Sequence, residues 1–376
     1  MKKTFLLLVL SILLIPSKIF ASSDDFLKVK VGASLNDGQK IKITSKSNIS
    51  VVDRGFNKII ELGSKEVELL YKDGKASLIN KDKTYSSNFS TDGYLMLASD
   101  NNLKLKNEYR GYICFIKNGK SINVINYVNI EDYLKGVVPK EIYSSAKTEA
   151  LKAQAIVSRS FALSNINKNI KKGYNLDDTT SCQVYGGVTA EKPSTNKAVD
   201  DTKGQVITYK GKIANTIFGA SSGGVTADAS EVWGGNKLEY MTSFSDPYSD
   251  HPWTLELKKE NINSILKAKG IKIGDFIGFN IKEYDSSGRI KNLELIGTNG
   301  SKEISGNTLR SYFGNTKCKS TLFTISQEND KFVLKGNGYG HGVGMSQYGA
   351  MNMAKEGKSC EDIITFYFPN TKLESR

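Results

Sequence analysis

Histidine is scarce in this chain. Its 376 residues include two, His251 and His341, so any base needed by a nucleophilic serine or cysteine has two candidates. Cysteine is nearly as scarce: Cys114, Cys182, Cys318 and Cys360 lie far apart and form no C-x-x-C or other close metal spacing. Four scattered thiols exclude a disulfide-dense scaffold and leave both bridges and free thiols open. Acidic residues are in deficit, 39 against 52 basic ones, for a formal charge of +13. Beyond the N-terminal region no apolar run is long enough to cross a bilayer. No internal repeat, long linker or nucleic-acid motif appears, which excludes beads on a string and disfavours nucleic acid as a partner.

What is present begins with an address. Met1-Lys2-Lys3-Thr4 precedes an apolar run from Phe5 to Ile15, and Ile19-Phe20-Ala21 offers a cleavage point before Ser22. A basic start, a short apolar run and a small exit residue predict a secretory signal over 1–21, with an uncleaved anchor as the alternative. An exported protein of this charge suits a polyanionic surface such as a cell wall or acidic lipid, although the lysines are spread along the whole chain.

With 39% hydrophobic and 24% charged residues the remainder reads as globular. Alternation at Phe26–Val31 and Lys40–Thr44, and a hairpin around Asn118-Gly119, predict a β-rich part over 26–130. A short helix over Ile130–Lys135, ending at Gly136, is followed by an amphipathic helix over 147–163. A further helix ends near Thr202, and a hairpin pairs 205–209 with 213–218. Residues 240–335 read as an inserted α+β lobe, with a helix over 260–269, a hairpin at 279–296 and a short helix from Ser305. The fold class expected is α+β: a β-rich composite domain with short helices and an inserted lobe. Residues 131–235 and 336–373 are expected to form the core that carries the chemistry.

Three stretches invite chemistry. Glu141 falls in the predicted connection between two helices, flanked by Val137, Val138, Pro139 and Ile142, where desolvation would raise its pKa for proton transfer. Gly219-Ala220-Ser221-Ser222-Gly223 matches Gly-x-Ser-x-Gly after a strand, so Ser221 is a formal nucleophile candidate. The surrounding hairpin does not suggest the parallel sheet that such an elbow needs. The third stretch runs from Gly336 to Ala350, where six of fifteen residues are glycine and His341 sits among them. Glycine at nearly every second position permits close backbone approach, and helical spacing begins at Met345. No carboxylate pair of the kind used by two-acid glycosidases is apparent.

Six pieces together resemble the SpoIID/LytB family: Tyr133-Leu134-Lys135-Gly136-Val137-Val138-Pro139-Lys140-Glu141, Glu149–Ala155, Cys182-Gln183-Val184-Tyr185, Ser222-Gly223-Gly224, Val232-Trp233-Gly234 and Gly340–Ala350. They occur in the family's order and span 26–373. The resemblance implies a peptidoglycan lytic transglycosylase acting on glycan strands without stem peptides, with Glu141 as acid and then base. It makes Arg159, Ser222, Tyr240, His341, Gln347 and Tyr348 candidates to line a sugar groove. The other role it allows is a noncatalytic enhancer of a cell-wall amidase. Peptidoglycan strands are the implied partner, with an amidase and membrane engulfment proteins as further partners in a spore former. Some relatives bind zinc through a His-Cys pair before Gln-Val-Tyr. Here Ser181-Cys182 stands in that place and Gly219-Ala220-Ser221 lacks a histidine found in many relatives, so no metal or other cofactor is expected.

Overall fold

The apolar-polar alternation of the N-terminal part resolves into two largely antiparallel sheets in a computed structural model that describes residues 26–80, 83–87 and 94–376. The expected signal segment lies outside the described residues. A seven-stranded sheet runs, from edge to edge, through Leu176–Asp177, Phe26–Lys30, Ser121–Asn129, Tyr112–Asn118, Tyr94–Ser99, Ile49–Val52 and Lys58–Glu61. A six-stranded sheet holds Lys40–Thr44 and Glu66–Lys72 at its centre. The hairpin at Asn118-Gly119 forms, with Asn118 opposite Ser121. Because side chains alternate across a strand, the seven-stranded sheet has two distinct faces. Ile113, Phe115, Val124 and Val128 enter the main core, whereas Val52, Met96, Cys114 and Ile125 form a small separate cluster under Tyr94, Tyr112 and Tyr127.

Eight α-helices are described: α1 (Ile130–Glu141), α2 (Thr148–Ser164), α3 (Pro193–Asp201), α4 (Ala229–Trp233), α5 (Lys259–Ala268), α6 (Gly306–Phe313), α7 (Gln347–Lys355) and α8 (Cys360–Tyr367). The fold is therefore α+β, rich in strands and with short helices. Helix α2 is apolar on most of its circumference and buried nearly all round, as a central helix must be. It packs against α1, α3, α7 and α8.

Helix α1 departs from the expected end at Gly136. It continues through Gly136 and Pro139 to Glu141, because Tyr133, Leu134, Val137 and Val138 are all fully buried and hold the extra turn. A side chain at 136 would strike the Tyr185 ring at 2.5 Å, so glycine here serves close packing and not termination. Pro139 sits in the last turn, where the Ile142 N–H still reaches the Val138 carbonyl at 3.0 Å. Glu141 is thus the final residue of a helix and not part of a loop.

The expected 205–218 hairpin also changes. Only Lys212–Ile213 returns against Gln205–Tyr209, whose other edge pairs with Lys372–Ser375. The Thr216 hydroxyl then donates to the Val157 carbonyl of α2 at 2.8 Å, and the chain leaves the hairpin. Phe218–Gly219 instead runs parallel to Met345–Ser346.

Residues 252–337 carry two three-stranded sheets, α5 and α6 around a core of their own, built from Trp253, Ile262, Phe276, Leu293, Leu309, Phe332 and neighbours. Its last strand, Lys331–Asn337, feeds directly into the glycine stretch. No helix among the described residues is long and apolar enough to cross a membrane.

Candidate functional site

The glycine stretch is a wall shared by three parts of the molecule. Gly342 (φ +78°) and Gly344 (φ +69°) occupy left-handed backbone where a side chain is also sterically impossible. A Cβ at 342 would lie 2.1 Å from the Arg289 guanidinium, and one at 344 would lie 2.0 Å from the Ile217 carbonyl. Arg289, from the 252–337 lobe, is 2% exposed and donates to the carbonyls of Ser222 (2.5 Å) and Val225 (3.0 Å). Among the described residues its Nε has no hydrogen-bond partner, and burial pulls its pKa down to about 10. The expected loop-to-helix junction forms through a two-residue strand: Met345–Ser346, then α7, with the Ser346 hydroxyl capping the Gly349 N–H at 3.1 Å.

The wall borders a cavity of about 670 Å³ whose lining contains one carboxylate, Glu141. His341, Gln347, Phe161, Phe218, Trp233, Lys168 and Arg310 also line it. The Val184 N–H donates to Glu141 Oε1 at 2.7 Å. Burial raises the Glu141 pKa above the ordinary carboxylate value; the bond from Val184, a side-chain bond from Gln347 and the charge of Lys140 oppose this without cancelling it. The proton is therefore held more tightly than on a free glutamate. Gln347 is itself buried and donates to Gln154 Oε1 at 3.4 Å, while Gln154 donates to Ser158 Oγ at 3.0 Å. This glutamine chain locks the side chain facing the acid.

His341 stands on the same cavity. Its Nδ1 accepts from the Val343 N–H at 3.0 Å and the ring donates to the Phe218 backbone, which assigns the neutral tautomer. Burial, with the charges of Arg289 and Arg310, brings its pKa down to about 4. A neutral, doubly bonded imidazole shapes the wall rather than shuttling protons at neutral pH. Trp233 packs edge-on against it at 5.0 Å between centroids and is 54% exposed.

The other sequence candidates separate. Tyr348 lies beside Tyr143, two residues past Glu141, and 5.1 Å from the His251 ring. Arg159 is not in the cavity lining: it is 1% exposed, grips Glu131 with bonds of 2.9 and 2.6 Å, and donates to the carbonyl of Gln205. Ser222 is also enclosed, its hydroxyl donating to Asp246 Oδ2 at 2.7 Å. Tyr240 supports the cavity from behind, its hydroxyl accepting from the N–H of Asn215, which does line the cavity. Ser221 is 2% exposed, and its Oγ joins a serine chain through Ser249 to Ser346. No histidine bonds to it among the described residues, so the nucleophile reading of Gly-x-Ser-x-Gly has no base.

Residues that the sequence reading did not single out as lining are Phe161, Lys168, Phe218, Trp233 and Arg310. Only Trp233 carried a usable signal, as the aromatic of the Val232-Trp233-Gly234 piece. Cys182 reaches the cavity beside Thr180 and Ser181, and among the described residues no three of His, Cys, Asp and Glu converge. The side chains present do not fit a zinc centre.

Residues 118–209 match the family model described as Stage II sporulation protein, SpoIID, and residues 248–344 match a domain of unknown function, DUF8618. An uncharacterized protein of Brachyspira hyodysenteriae is 34% identical over 265 residues, covering 69% of this chain and 71% of the relative. Stage II sporulation protein D of Bacillus subtilis is 30% identical over 265 residues, covering 66% and 75%. The amidase enhancer of Bacillus subtilis is 32% identical over 291 residues, 64% of this chain but 40% of that longer protein.

Proposed function

The chain belongs to the SpoIID/LytB family, and from that premise we propose that it is an exported peptidoglycan lytic transglycosylase acting on glycan strands stripped of stem peptides. The observation that carries this reading is a single, desolvated carboxyl group, Glu141, in a cavity lined by no second acid. Two-carboxylate glycosidases need an acid and a base or nucleophile on separate side chains. A transglycosylase can use one group twice.

In this reading protonated Glu141 gives its proton to the oxygen between N-acetylmuramic acid and N-acetylglucosamine as the bond from the muramyl C1 to that oxygen breaks. The resulting carboxylate is held by the Val184 N–H and Gln347. It then takes the proton of the muramyl 6-hydroxyl while O6 bonds to C1, closing a 1,6-anhydro ring. No water is consumed and Glu141 ends protonated. Trp233 and Phe218 offer flat apolar surface for sugar rings, and His341 holds the wall in one shape. The family ties such an activity to sporulation or other cell-wall work, with a wall amidase and engulfment proteins as prospective partners.

The second reading is a noncatalytic wall-binding enhancer of an amidase. It is favoured by the relative of that name and by the absence here of the histidines that other members carry. Incubating the purified protein with stem-free glycan strands, followed by mass spectrometry, decides between them. The catalytic reading expects 1,6-anhydro ends from the wild type and none from Glu141→Gln. No such ends from the wild type, or equal amounts from the variant, would sink it.

A further inference from the structure

A second cavity, of about 440 Å³, opens on the seven-stranded sheet and is lined mostly by residues that precede the SpoIID match. One wall is aromatic. Phe56 stacks on Tyr112 at 4.7 Å between centroids, and Phe26 lies 5.9 Å from Phe56. Much of the remaining lining is polar: the carboxamides of Asn48, Asn101 and Asn102, the carboxylates of Glu61, Asp100 and Asp132, and Lys58. Ser50, 5% exposed, is the most buried polar residue of the lining and forms its floor.

Phe56 is displayed at a conformational cost. It occupies the tip of the Val52–Lys58 turn at φ +64°, a region that bulky residues rarely enter, and is 37% exposed. Asp53 fixes that turn by accepting from the Asn57 N–H at 2.8 Å. Glycine or asparagine would satisfy the backbone with less strain.

We propose that this cleft binds a pyranose unit of a β-linked amino-sugar glycan, giving the protein a second hold on the strand away from Glu141. A pyranose offers an apolar C–H face to Phe56 and Tyr112 and a ring of hydroxyl and acetamido groups to the asparagines and Ser50. The volume falls in the range of about 300–1,000 Å³ usual for small-ligand sites. Preference for an amino sugar over other pyranoses rests on the function proposed above; the pairing of an aromatic wall with carboxamides does not. The cleft also touches Asn129 and Asp132 at the start of α1, whose last residue is Glu141. Along the helix axis Asp132 and Glu141 are about 14 Å apart, so both sites are mounted on one rigid element.

The test is calorimetric titration of full-length Glu141→Gln protein with a β-1,4-linked N-acetylglucosamine tetramer. Two classes of site are expected. Phe56→Asn, which suits the left-handed turn, should weaken one class at least tenfold and leave the other intact. Ser50→Val, which fills the floor without disturbing a strand, should do the same. Trp233→Ala should weaken only the other class. The proposal is overturned if the parent shows one class or none, or if Phe56→Asn and Ser50→Val both titrate like the parent. Whether 1,6-anhydro ends depend on Glu141 is read in a separate assay, so either proposal can fail alone.

Discussion

The N–H of Val184 donates to Oε1 of Glu141 at 2.7 Å, joining the Cys182–Tyr185 stretch to the end of α1. Two motifs more than forty residues apart in the chain thus share one proton site. The bond favours the ionised carboxyl, burial favours the neutral one, and burial prevails. The acid is left protonated over a wider pH range than a free glutamate, yet has a donor ready once the proton leaves.

Glu141→Gln should reduce formation of 1,6-anhydro ends by about 10²–10⁴-fold or more, the usual contribution of a positioned acid-base group. It should also change stability in a pH-dependent way. A folded-state pKa above the unfolded value gives stability that is present at low pH and is lost as pH rises through the folded pKa. Thermal midpoints of wild type and variant should therefore converge near pH 4 and separate towards neutral pH, with the variant higher.

Gln347→Leu removes a donor to the Glu141 carboxylate and should raise its pKa further. In a pH-rate profile the alkaline limb should move to higher pH while the maximum rate falls. A change in rate alone, with the limb unmoved, would mean that Gln347 does not act through the acid.

His341 works in the opposite direction. Its pKa in the fold is about 4, so the unfolded chain takes up a proton near pH 6.5 that the folded protein refuses. Stability should fall as pH drops from about 6.5 to about 4. Urea midpoints followed over that window should lose this component in His341→Gln.

Arg159→Gln leaves Glu131 without its partner and should cost about 3–5 kcal/mol, as breaking a buried pair does. Enough folded protein assayed at low temperature should retain wild-type glycan cleavage, because Arg159 faces Glu131 and the Gln205 carbonyl and does not line the cavity. A lowered turnover in fully folded variant would return Arg159 to the groove.

Gly342→Ala forces a side chain into the Arg289 guanidinium at a positive φ. At least about 2 kcal/mol should be lost in chemical denaturation. The Arg289→Met background should recover part of it, since the clash is with that side chain.

Local chemistry made much of this legible. The alternating strands, the Asn-Gly hairpin and the apolar periodicity of α2 are encoded within short windows, and each formed where the pattern placed it. The family motifs carried Glu141 and His341 in the same way, because a motif is a local pattern by definition. Where α1 ends was decided elsewhere. Gly136 reads as a helix end, but Tyr185 fills the space over it and the buried Val137 and Val138 hold the last turn in place. Ser222 and Arg159 look like polar groove residues in the linear chain and are enclosed only because Asp246 and Glu131 arrive from distant segments. What sequence alone determined was most of the local elements and the candidacy of Glu141. The lone-acid cavity, the neutral histidine and the aromatic cleft at Phe56 exist only in three dimensions, because desolvation and stacking depend on which surfaces meet.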